Sequence, residues 1–271
     1  MRPRAAIAFH TLRRGDPGRP VVLLLHGFLG CAEDFLPLMS ALEDRRHCIA
    51  VDLPGHGRTR TPAGIPDMSA CAQALVDWLD REGIERPAVF GYSMGGRLAI
   101  YLALRHSQRF RAVIAESASP GLADAHARAA RCQADAALAA RLRGGEVAAF
   151  LDDWYAQPLF EELRRHPDFP ALLARRLRQS PEGLAQSLEA MGTGQQPPLW
   201  SDLAGLELPL ALIVGERDAK FREIAAAMAV ASPRIKVHVI AGAGHNAHVE
   251  QAGTFAERLA ALLQEAHRGE P

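Results

Sequence analysis

Short runs rich in apolar residues alternate with amphipathic segments along most of the chain. Each run has the length of a buried strand, and the runs cover residues 21–25, 48–51, 88–90, 112–115, 210–214 and 236–240. Between them, apolar side chains recur at helical spacing over residues 34–42, 68–81, 221–230 and 252–266. This alternation predicts an α/β fold with a mostly parallel sheet that is covered by helices on both faces. A first edge strand is expected within residues 5–12.

The stretch 119–197 breaks this rhythm. It is helix-like and rich in Ala, Arg and Leu, it is interrupted by Gly and Pro, and it contains no convincing buried strand. Because ligands of open α/β sheets bind outside the carboxyl ends of the strands, we expect an all-helical lid over that edge. The predicted organisation is a core of residues 1–118 and 198–271, with residues 119–197 inserted as the lid. We call this stretch the helical insertion.

A single serine stands between the apolar run 88–90 and the helical pattern that follows it. The motif is Gly91-Tyr92-Ser93-Met94-Gly95, with the spacing G-x-S-x-G. A strand that turns abruptly into a helix holds its corner residue in a strained conformation, and small flanking residues avoid collisions there. Ser93 is therefore predicted to project above the sheet edge as a nucleophile, at the positive end of the helix dipole. On its own, the motif would also suit a plain glycine-rich connection.

Two later loops carry the partners that a catalytic serine needs. Asp218 follows the run 210–214, and His245 follows the run 236–240. The chain order Ser, Asp, His is that of the α/β-hydrolase fold, and all three residues follow carboxyl ends of predicted strands. The sequence therefore predicts a catalytic triad of Ser93, Asp218 and His245 on this fold. The fold hosts esterases, peptidases, lyases and inactive receptors, so the reaction depends on the pocket.

Each partner of the serine has a competitor in the sequence. Glu216 or Glu116 could replace Asp218, but Asp218 lies farther into its loop and can reach a neighbouring loop. His248 could replace His245, although the small residues before His245 allow its loop closer to the serine. We expect His248 to start the last helix instead.

The predicted oxyanion hole consists of two backbone N–H groups. One belongs to Met94, directly after the serine, and the other to Phe28, in the loop after an early strand. Two histidines near these loops, His26 and His56, are interpreted as supports of the loop backbone rather than as catalytic groups.

Length and composition exclude several classes of protein. A chain of 271 residues, 48% of them apolar, suits one large α/β domain. Basic and acidic residues balance at 31 each, which gives no indication of a nucleic-acid partner. The four cysteines are scattered, without histidines at metal-ligand spacing, so we expect a reducing compartment, no metal and no cofactor. Without a signal-peptide pattern or a run long enough for membrane insertion, a cytoplasmic monomer or small homo-oligomer is expected.

Several motifs resemble those of the 2-succinyl-6-hydroxy-2,4-cyclohexadiene-1-carboxylate synthase family of menaquinone biosynthesis. Three are common among α/β-hydrolases, namely LLLHGFLG (23–30), VDLPGHG (51–57) and GYSMGGRLA (91–99). More particular to the family are ESASPGL (116–122), DDWYAQPLF (152–160), MGTGQQPPLW (191–200), GERDAKF (215–221) and GAGHNAHVE (242–250). The resemblance covers nearly the whole chain, including the helical insertion.

The resemblance implies a lyase. Such enzymes eliminate pyruvate from 2-succinyl-5-enolpyruvyl-6-hydroxy-3-cyclohexene-1-carboxylate to give 2-succinyl-6-hydroxy-2,4-cyclohexadiene-1-carboxylate. The triad would act as a base: Ser93 would remove a ring proton next to the succinyl carbonyl, His245 would raise its basicity, and Asp218 would hold the imidazole. The oxyanion hole would then stabilise an enolate-like charge.

The implied substrate is a small tricarboxylate, so its pocket should present bidentate cationic donors. Arg97, one helical turn beyond the serine, matches the family's arginine at that place. Arg131 and Arg178 match two further carboxylate-binding arginines of the family, with Arg128 and Arg176 as alternatives for these positions. Arginines in an Arg-rich helical insertion could also form a solvated helix face.

The resemblance also implies aromatic contacts with the substrate. Trp154, Tyr155 and Phe160 match the family's aromatic wall, and Tyr92 matches its residue before the serine. Trp154 and Tyr155 could equally form the core of the helical insertion, because aromatic side chains usually pack inside.

Two other functions use the same scaffold. A carboxylesterase for small esters would keep the triad but would not need several arginines around it. A ligand receptor that has lost catalysis would have no need to keep Ser93, Asp218 and His245 together.

Overall fold

The computed structural model describes residues 6–268. Residues 1–5 and 269–271 lie outside the described residues. The start of the predicted core segment 1–118, the end of the predicted core segment 198–271 and the first residue of the expected edge strand, residue 5, therefore fall outside them. Within residues 6–268, no helix is both long and apolar enough to cross a membrane.

One sheet of seven strands forms the centre of the molecule. The strands are β1 Thr11–Arg14, β2 Val21–Leu25, β3 His47–Val51, β4 Ala88–Tyr92, β5 Ala112–Glu116, β6 Leu210–Gly215 and β7 Ile235–Ile240. They are ordered β1-β3-β2-β4-β5-β6-β7, with β1 antiparallel to β3 and every other neighbouring pair parallel. The predicted α/β-hydrolase fold class is confirmed.

The first strand lies later than expected. Of the predicted range 5–12, Ala8 makes only an isolated bridge to Arg60, and β1 extends to Arg14. The apolar residues before position 10 favoured the earlier placement. An edge strand needs only one buried side, however, so the polar sequence TLRR can pair with β3 at this position.

Helices lie on both faces of the sheet and between β5 and β6. They are α1 Leu36–Leu42, α2 Met68–Arg81, α3 Met94–Arg105, α4 Ala125–Arg143, α5 Val147–Ala156, α6 Glu161–Arg165, α7 Phe169–Arg176, α8 Pro181–Met191, α9 Ala219–Ala231, α10 Ala247–Glu250 and α11 Ala252–Arg268. Several begin at side-chain caps: Asp67 accepts a hydrogen bond from Ala70 N at 2.8 Å, and Asp124 accepts one from Ala127 N at 2.7 Å.

The central strands are apolar throughout because both of their faces are covered. In β2, Leu23 and Leu25 pack with residues of α2 and α3, such as Leu75 and Leu98. The alternate residues Val22 and Leu24 pack on the opposite face with residues of α1 and α11. Two apolar layers therefore hold the sheet rigidly, and the loops at its carboxyl edge start from fixed points.

The helical insertion contains α4–α8 and has an apolar cluster of its own. Leu142 of α4, Phe150 of α5 and Leu184 of α8 are fully or almost fully buried in it. Leu29, from the loop after β2, is buried in the same cluster. The helical insertion is thus packed directly on a loop at the carboxyl edge of the sheet.

Candidate active site

Ser93 lies at the sharp corner between β4 and α3. Its φ of 49° and ψ of −105° lie in a region that residues with a side chain rarely adopt. A Cβ at Gly91 would collide with the Gly95 backbone, and one at Gly95 would collide with the Leu25 backbone. The two flanking glycines therefore permit the strained corner, as the sequence predicts, and α3 begins immediately after the serine.

The three predicted triad residues lie together. His245 Nδ1 is 2.7 Å from Asp218 Oδ2, and His245 Nε2 is 3.3 Å from Ser93 Oγ. With Nδ1–H donating to the carboxylate, Nε2 can accept the serine proton. Asp218 and His245 are buried, and they follow β6 and β7 at the same edge of the sheet as Ser93. This arrangement can remove a proton or activate the serine hydroxyl.

The loop that carries His245 is held by two buried or half-buried carboxylates. Glu250 accepts hydrogen bonds from Gly244 N and, at 3.1 Å, from Asn246 N. Glu116 accepts one from His248 N at 3.0 Å, and its second oxygen lies 2.7 Å from His248 Nδ1. These contacts fix the backbone on both sides of the imidazole.

The competitors of the triad have other positions. Glu116 is bonded to His248 rather than to His245, and His248 lies within the short helix α10 instead of starting the last helix. Glu216 accepts a hydrogen bond from Gly242 N at 2.9 Å and supports the loop backbone. The expected start of the last helix at His248 is therefore wrong: the non-helical conformation of Gln251 (φ −134°, ψ 52°) separates α10 from α11.

The two expected oxyanion donors lie on either side of a topological switch in the sheet. After β2, the next strand in the chain, β3, pairs with one side of β2, and the following strand, β4, pairs with its other side. Such a switch of direction opens a crevice at the carboxyl edge of the sheet. Phe28 follows β2, and Met94 follows Ser93 at the start of α3. Gly95 N donates to His26 O at 3.0 Å and joins the two segments. No protein acceptor among the described residues binds the N–H of Phe28 or Met94, so both are available to an oxyanion.

His26 and His56 support this region, as the sequence predicts. His26 Nε2 accepts a hydrogen bond from Leu53 N at 2.9 Å, and His56 Nε2 accepts one from Leu29 N at 3.2 Å. Burial lowers the pKa of His26, and burial together with the neighbouring His26 lowers the pKa of His56 well below its usual value. Both rings are therefore neutral acceptors at neutral pH.

A cavity of about 230 Å³ lies between the triad and the helical insertion. Its lining includes both oxyanion-hole residues, two of the predicted arginines, two of the predicted aromatic residues and one lysine, namely Phe28, Met94, Arg97, Arg131, Trp154, Phe160 and Lys220, together with Ser93 and His245. A larger cavity of about 470 Å³ lies at the opposite edge, beside Pro209 and Leu210 at the start of β6, and it contains none of the triad.

Arg97 is a buried cation in the lining of this cavity. The only hydrogen bond of its side chain among the described residues is donated to the neutral Gln196 Oε1 at 3.2 Å. Burial and the nearby Arg131 lower the pKa of Arg97 to about 10, so it stays protonated at neutral pH. A buried guanidinium without a bonded carboxylate is suited to bind an anionic ligand.

Arg131 also lines the cavity, whereas Arg178 does not. Arg131 Nε donates to Asp135 Oδ1 at 2.8 Å and its side chain is 38% exposed. The Arg178 side chain is 64% exposed and lies 3.1 Å from Glu33. The substrate contact expected of Arg178 is therefore not supported, because the turn after α7 directs this residue to the outer seam between the helical insertion and the core.

Arg176, the alternative to Arg178, is buried closer to the site. It lies 2.7 Å from Asp34, donates to the Tyr155 hydroxyl at 3.2 Å, and borders a small cavity shared with Phe28 and Tyr92. Burial opposes the charge of Arg176, but the Asp34 carboxylate raises its pKa above the ordinary value. Arg176 is thus neutralised by an ion pair.

Two of the predicted aromatic contacts lie behind the cavity wall. Tyr155 is buried in the helical insertion, where it packs on Phe160 and Phe169, and Tyr92 packs between His245 and His248. Neither belongs to the lining of the 230 Å³ cavity. Tyr155 therefore lies in the core of the helical insertion, which was the alternative to a substrate contact.

Three polar residues of the site are not found by the sequence patterns. Lys220 lines the cavity with its ammonium group 5.6 Å from the Phe221 ring. Gln196 joins Arg97 to the Ser119 carbonyl, to which it donates at 3.0 Å. Ser117 lines the cavity with a φ of 46°, and its buried hydroxyl has no hydrogen-bond partner among the described residues. Lys220 could have been predicted from the sequence as a cavity residue, since it lies two residues after Asp218.

The described residues hold no group of three or more His, Cys, Asp or Glu side chains arranged to bind a metal. Burial raises the pKa of the Cys31, Cys48 and Cys71 thiols to about 12, so these thiols stay protonated at neutral pH. Ser93, whose Oγ lies 3.3 Å from His245 Nε2, is the candidate nucleophile or base of the site.

Comparisons with known proteins agree with this geometry. The profile of the alpha/beta hydrolase fold family matches residues 20–252. The 2-succinyl-6-hydroxy-2,4-cyclohexadiene-1-carboxylate synthase of Serratia proteamaculans is 35% identical over 261 residues, which are 95% of this chain and 98% of that protein. The chloroplastic protein PHYLLO of Arabidopsis thaliana is 33% identical over 262 residues, but the chain spans only 15% of its length.

Among solved structures, MenH from S. aureus superimposes with a TM-score of 0.89 at 31% sequence identity. The match covers 97% of this chain and 99% of the MenH chain. The similarity therefore includes the helical insertion as well as the sheet.

Proposed function

The chain belongs to the 2-succinyl-6-hydroxy-2,4-cyclohexadiene-1-carboxylate synthase family, and we propose that Ser93, His245 and Asp218 are the residues with which it eliminates pyruvate. The substrate is 2-succinyl-5-enolpyruvyl-6-hydroxy-3-cyclohexene-1-carboxylate, and the product is 2-succinyl-6-hydroxy-2,4-cyclohexadiene-1-carboxylate. The enzyme is a carbon–oxygen lyase on an α/β-hydrolase fold.

One observation carries the choice of substrate. The cavity beside the triad contains the buried, uncompensated guanidinium of Arg97, with Arg131 and Lys220 in the same lining. A site for small neutral esters would not need a buried cation, which costs free energy in an apolar interior. A substrate with three carboxylates repays that cost through charge-assisted hydrogen bonds.

The triad acts as the base in this proposal. The lone pair of His245 Nε2 accepts the Ser93 proton, and Ser93 Oγ takes the ring proton next to the succinyl carbonyl. Asp218 holds the imidazole with Nδ1–H directed at its carboxylate and stabilises the positive charge that develops.

The oxyanion hole takes the negative charge that the proton leaves behind. The electrons of the broken C–H bond move onto the succinyl carbonyl oxygen, which the N–H groups of Phe28 and Met94 would bind as an enolate. When the enolate collapses, the ring double bond shifts and the carbon–oxygen bond breaks, with its electrons leaving on the enolpyruvate oxygen. The departing enolate takes up a proton and becomes pyruvate, and His245 gives up the proton that it holds, so that the triad is restored.

The helical insertion is proposed to act as the lid of this site. It contributes Arg131, Trp154 and Phe160 to the lining of the cavity. Excluding water from the cavity strengthens each charge-assisted contact and protects the enolate from protonation by solvent.

The proposal is tested by offering the enzyme two substrates. We expect kcat/KM for pyruvate release from the enolpyruvyl substrate to exceed kcat/KM for p-nitrophenyl acetate by at least about a thousandfold, since the ester makes none of the carboxylate contacts. Efficient ester cleavage without pyruvate release would reject the lyase in favour of a carboxylesterase. Specific binding of the substrate without any turnover would favour a receptor.

A further inference from the structure

The loop that carries one proposed oxyanion donor is held by the helical insertion. We call residues 27–30 the oxyanion turn, because Gly30 N donates to Gly27 O at 3.0 Å and Phe28 lies between them. Leu29 has a φ of 68°, an uncommon conformation for a residue with a branched side chain. A turn in this conformation keeps its shape only while its surroundings hold it.

The core holds one side of the oxyanion turn. His26 Nδ1 lies 2.7 Å from Gly27 O, and His56 Nε2 accepts the Leu29 N–H at 3.2 Å. Among the described residues, no group of the core binds the carbonyl groups of Leu29 and Gly30.

Gln179 of the helical insertion binds those carbonyl groups. This residue lies in the turn between α7 and α8, is 8% exposed, and donates from Nε2 to Gly30 O at 2.9 Å and to Leu29 O at 3.4 Å. Its Oε1 accepts the Gly57 N–H at 2.8 Å. Both N–H donors and the carbonyl oxygen of one buried amide thus join the helical insertion to two core loops.

Apolar packing also joins the oxyanion turn to the helical insertion. The Leu29 side chain is buried in the apolar cluster of the helical insertion, and the Phe28 ring packs against Trp154 with centroids 5.2 Å apart. The helical insertion therefore contacts both side chains and two carbonyl groups of the oxyanion turn, while the Phe28 ring also packs on His56 of the core.

We propose that Gln179 is a positioning residue that holds the Phe28 N–H in the oxyanion hole, so that catalysis requires the helical insertion to be docked on the oxyanion turn. The proposal rests on the proposed function in assigning the Phe28 N–H to the oxyanion. Gln179 itself does not line the cavity that contains Ser93.

The test compares Gln179→Ala and Gln179→Glu with Gln186→Ala. Glu keeps the acceptor for Gly57 N but lacks the donor for the two carbonyl groups. Gln186 is a control on α8 whose side chain, among the described residues, bonds only Glu182. We expect kcat for pyruvate release to fall about 10- to 100-fold in both Gln179 variants, since a displacement near 1 Å has effects of this size. KM should change less than about threefold, because the carboxylate-binding groups remain in place.

A second readout does not depend on the lyase reaction. A fluorophosphonate reacts when Ser93 Oγ forms the P–O bond, the serine proton passes to His245 and fluoride leaves, while the phosphoryl oxygen occupies the oxyanion hole. We expect the second-order rate constant at Ser93 to fall at least about tenfold in both Gln179 variants and to be unchanged in Gln186→Ala.

The outcomes separate the two proposals. Wild-type phosphonylation that slows in the Gln179 variants, without any pyruvate release, would reject the lyase and retain the positioning role. Gln179 variants that react with the fluorophosphonate at the wild-type rate would overturn the positioning role, as would a rise in KM at unchanged kcat. Circular dichroism and thermal unfolding show whether each variant is folded. If Gln179→Ala is not folded, the kinetics of Gln179→Glu, which is isosteric with the wild type, decide the test.

Discussion

The sheet edge and the helical insertion contribute to the same cavity in different ways. The sheet edge brings together Ser93 and His245, 152 positions apart in the chain, by ending parallel strands at one place. Asp218 and His245 are buried, and each has a fixed hydrogen-bond partner. The helical insertion instead contributes Arg131, with a half-exposed side chain, and aromatic side chains from helices with a separate apolar cluster.

The difference indicates that the sheet edge and the helical insertion have different functions. Groups at the rigid sheet edge can be held within a few tenths of an ångström, which proton transfer requires. Groups on the helical insertion recognise the substrate when that part is docked. Changes at the sheet edge, or at Gln179, which holds the oxyanion turn, should therefore lower kcat. Changes at the cavity-lining side chains of the helical insertion should mainly raise KM.

The largest contrast is expected between two arginines. Arg97→Ala should lower kcat/KM at least about 100-fold, because losing a desolvated charge-assisted contact costs about 3 kcal/mol. Arg178→Ala should stay within about twofold, since an exposed ion pair to Glu33 contributes little. Steady-state kinetics of pyruvate release measure both. An effect below tenfold for Arg97→Ala would mean that this residue does not touch the substrate.

A smaller effect is expected within the helical insertion. Arg131→Ala should raise KM about tenfold with little change in kcat, because a partly exposed guanidinium loses one charged contact of about 1.5 kcal/mol. Arg141→Ala is the matched control on α4, where the side chain pairs with Asp153 on the surface. If Arg131→Ala lowered kcat instead, the proposed division between the two regions would be wrong.

An effect on stability rather than on catalysis concerns the neutral histidines beneath the oxyanion turn. The pKa values of His26 and His56 are lowered from 6.5 in the folded protein, so at pH above 6.5 their contribution to stability is fully present. As the pH falls below 6.5, the unfolded chain binds protons that the folded protein excludes. The free energy of unfolding should then decrease by up to about 1.4 kcal/mol per histidine per pH unit.

Urea unfolding at pH 7.5 and pH 5.5 measures this loss. His56→Gln keeps a side-chain acceptor for the Leu29 N–H but does not titrate, so it should reduce the difference between the two pH values. A difference as large as that of the wild type would show that protonation of His56 is not involved.

The sequence predicts the sheet edge better than the helical insertion for a physical reason. A buried parallel strand is recognised by its apolar run, and the carboxyl ends of parallel strands all lie at one edge of the sheet. Ser93, Asp218 and His245 could therefore be assigned from the loops that follow three such strands. Phe28 could likewise be named as an expected oxyanion donor, because it lies in the loop after the buried strand β2.

The side chains of the helical insertion have no such constraint. A helix can be rotated or shifted by a residue or two without losing its apolar stripe, and the choice between Arg176 and Arg178 depends on that rotation. Burial of Arg176 depends on Asp34, 142 positions earlier, and no local pattern reports this pairing. The role of Gln179 likewise depends on carbonyl groups of a distant loop.

The most direct test of the account is the rate of pyruvate release by Ser93→Ala from the enolpyruvyl substrate at saturating concentration. We predict that kcat falls at least about a thousandfold, because the group that removes the ring proton is absent, while the substrate still binds through Arg97 and Arg131. Ser107→Ala, on the surface, should match the wild type. A Ser93→Ala enzyme that released pyruvate within tenfold of the wild-type rate would contradict the claim that Ser93 is the base.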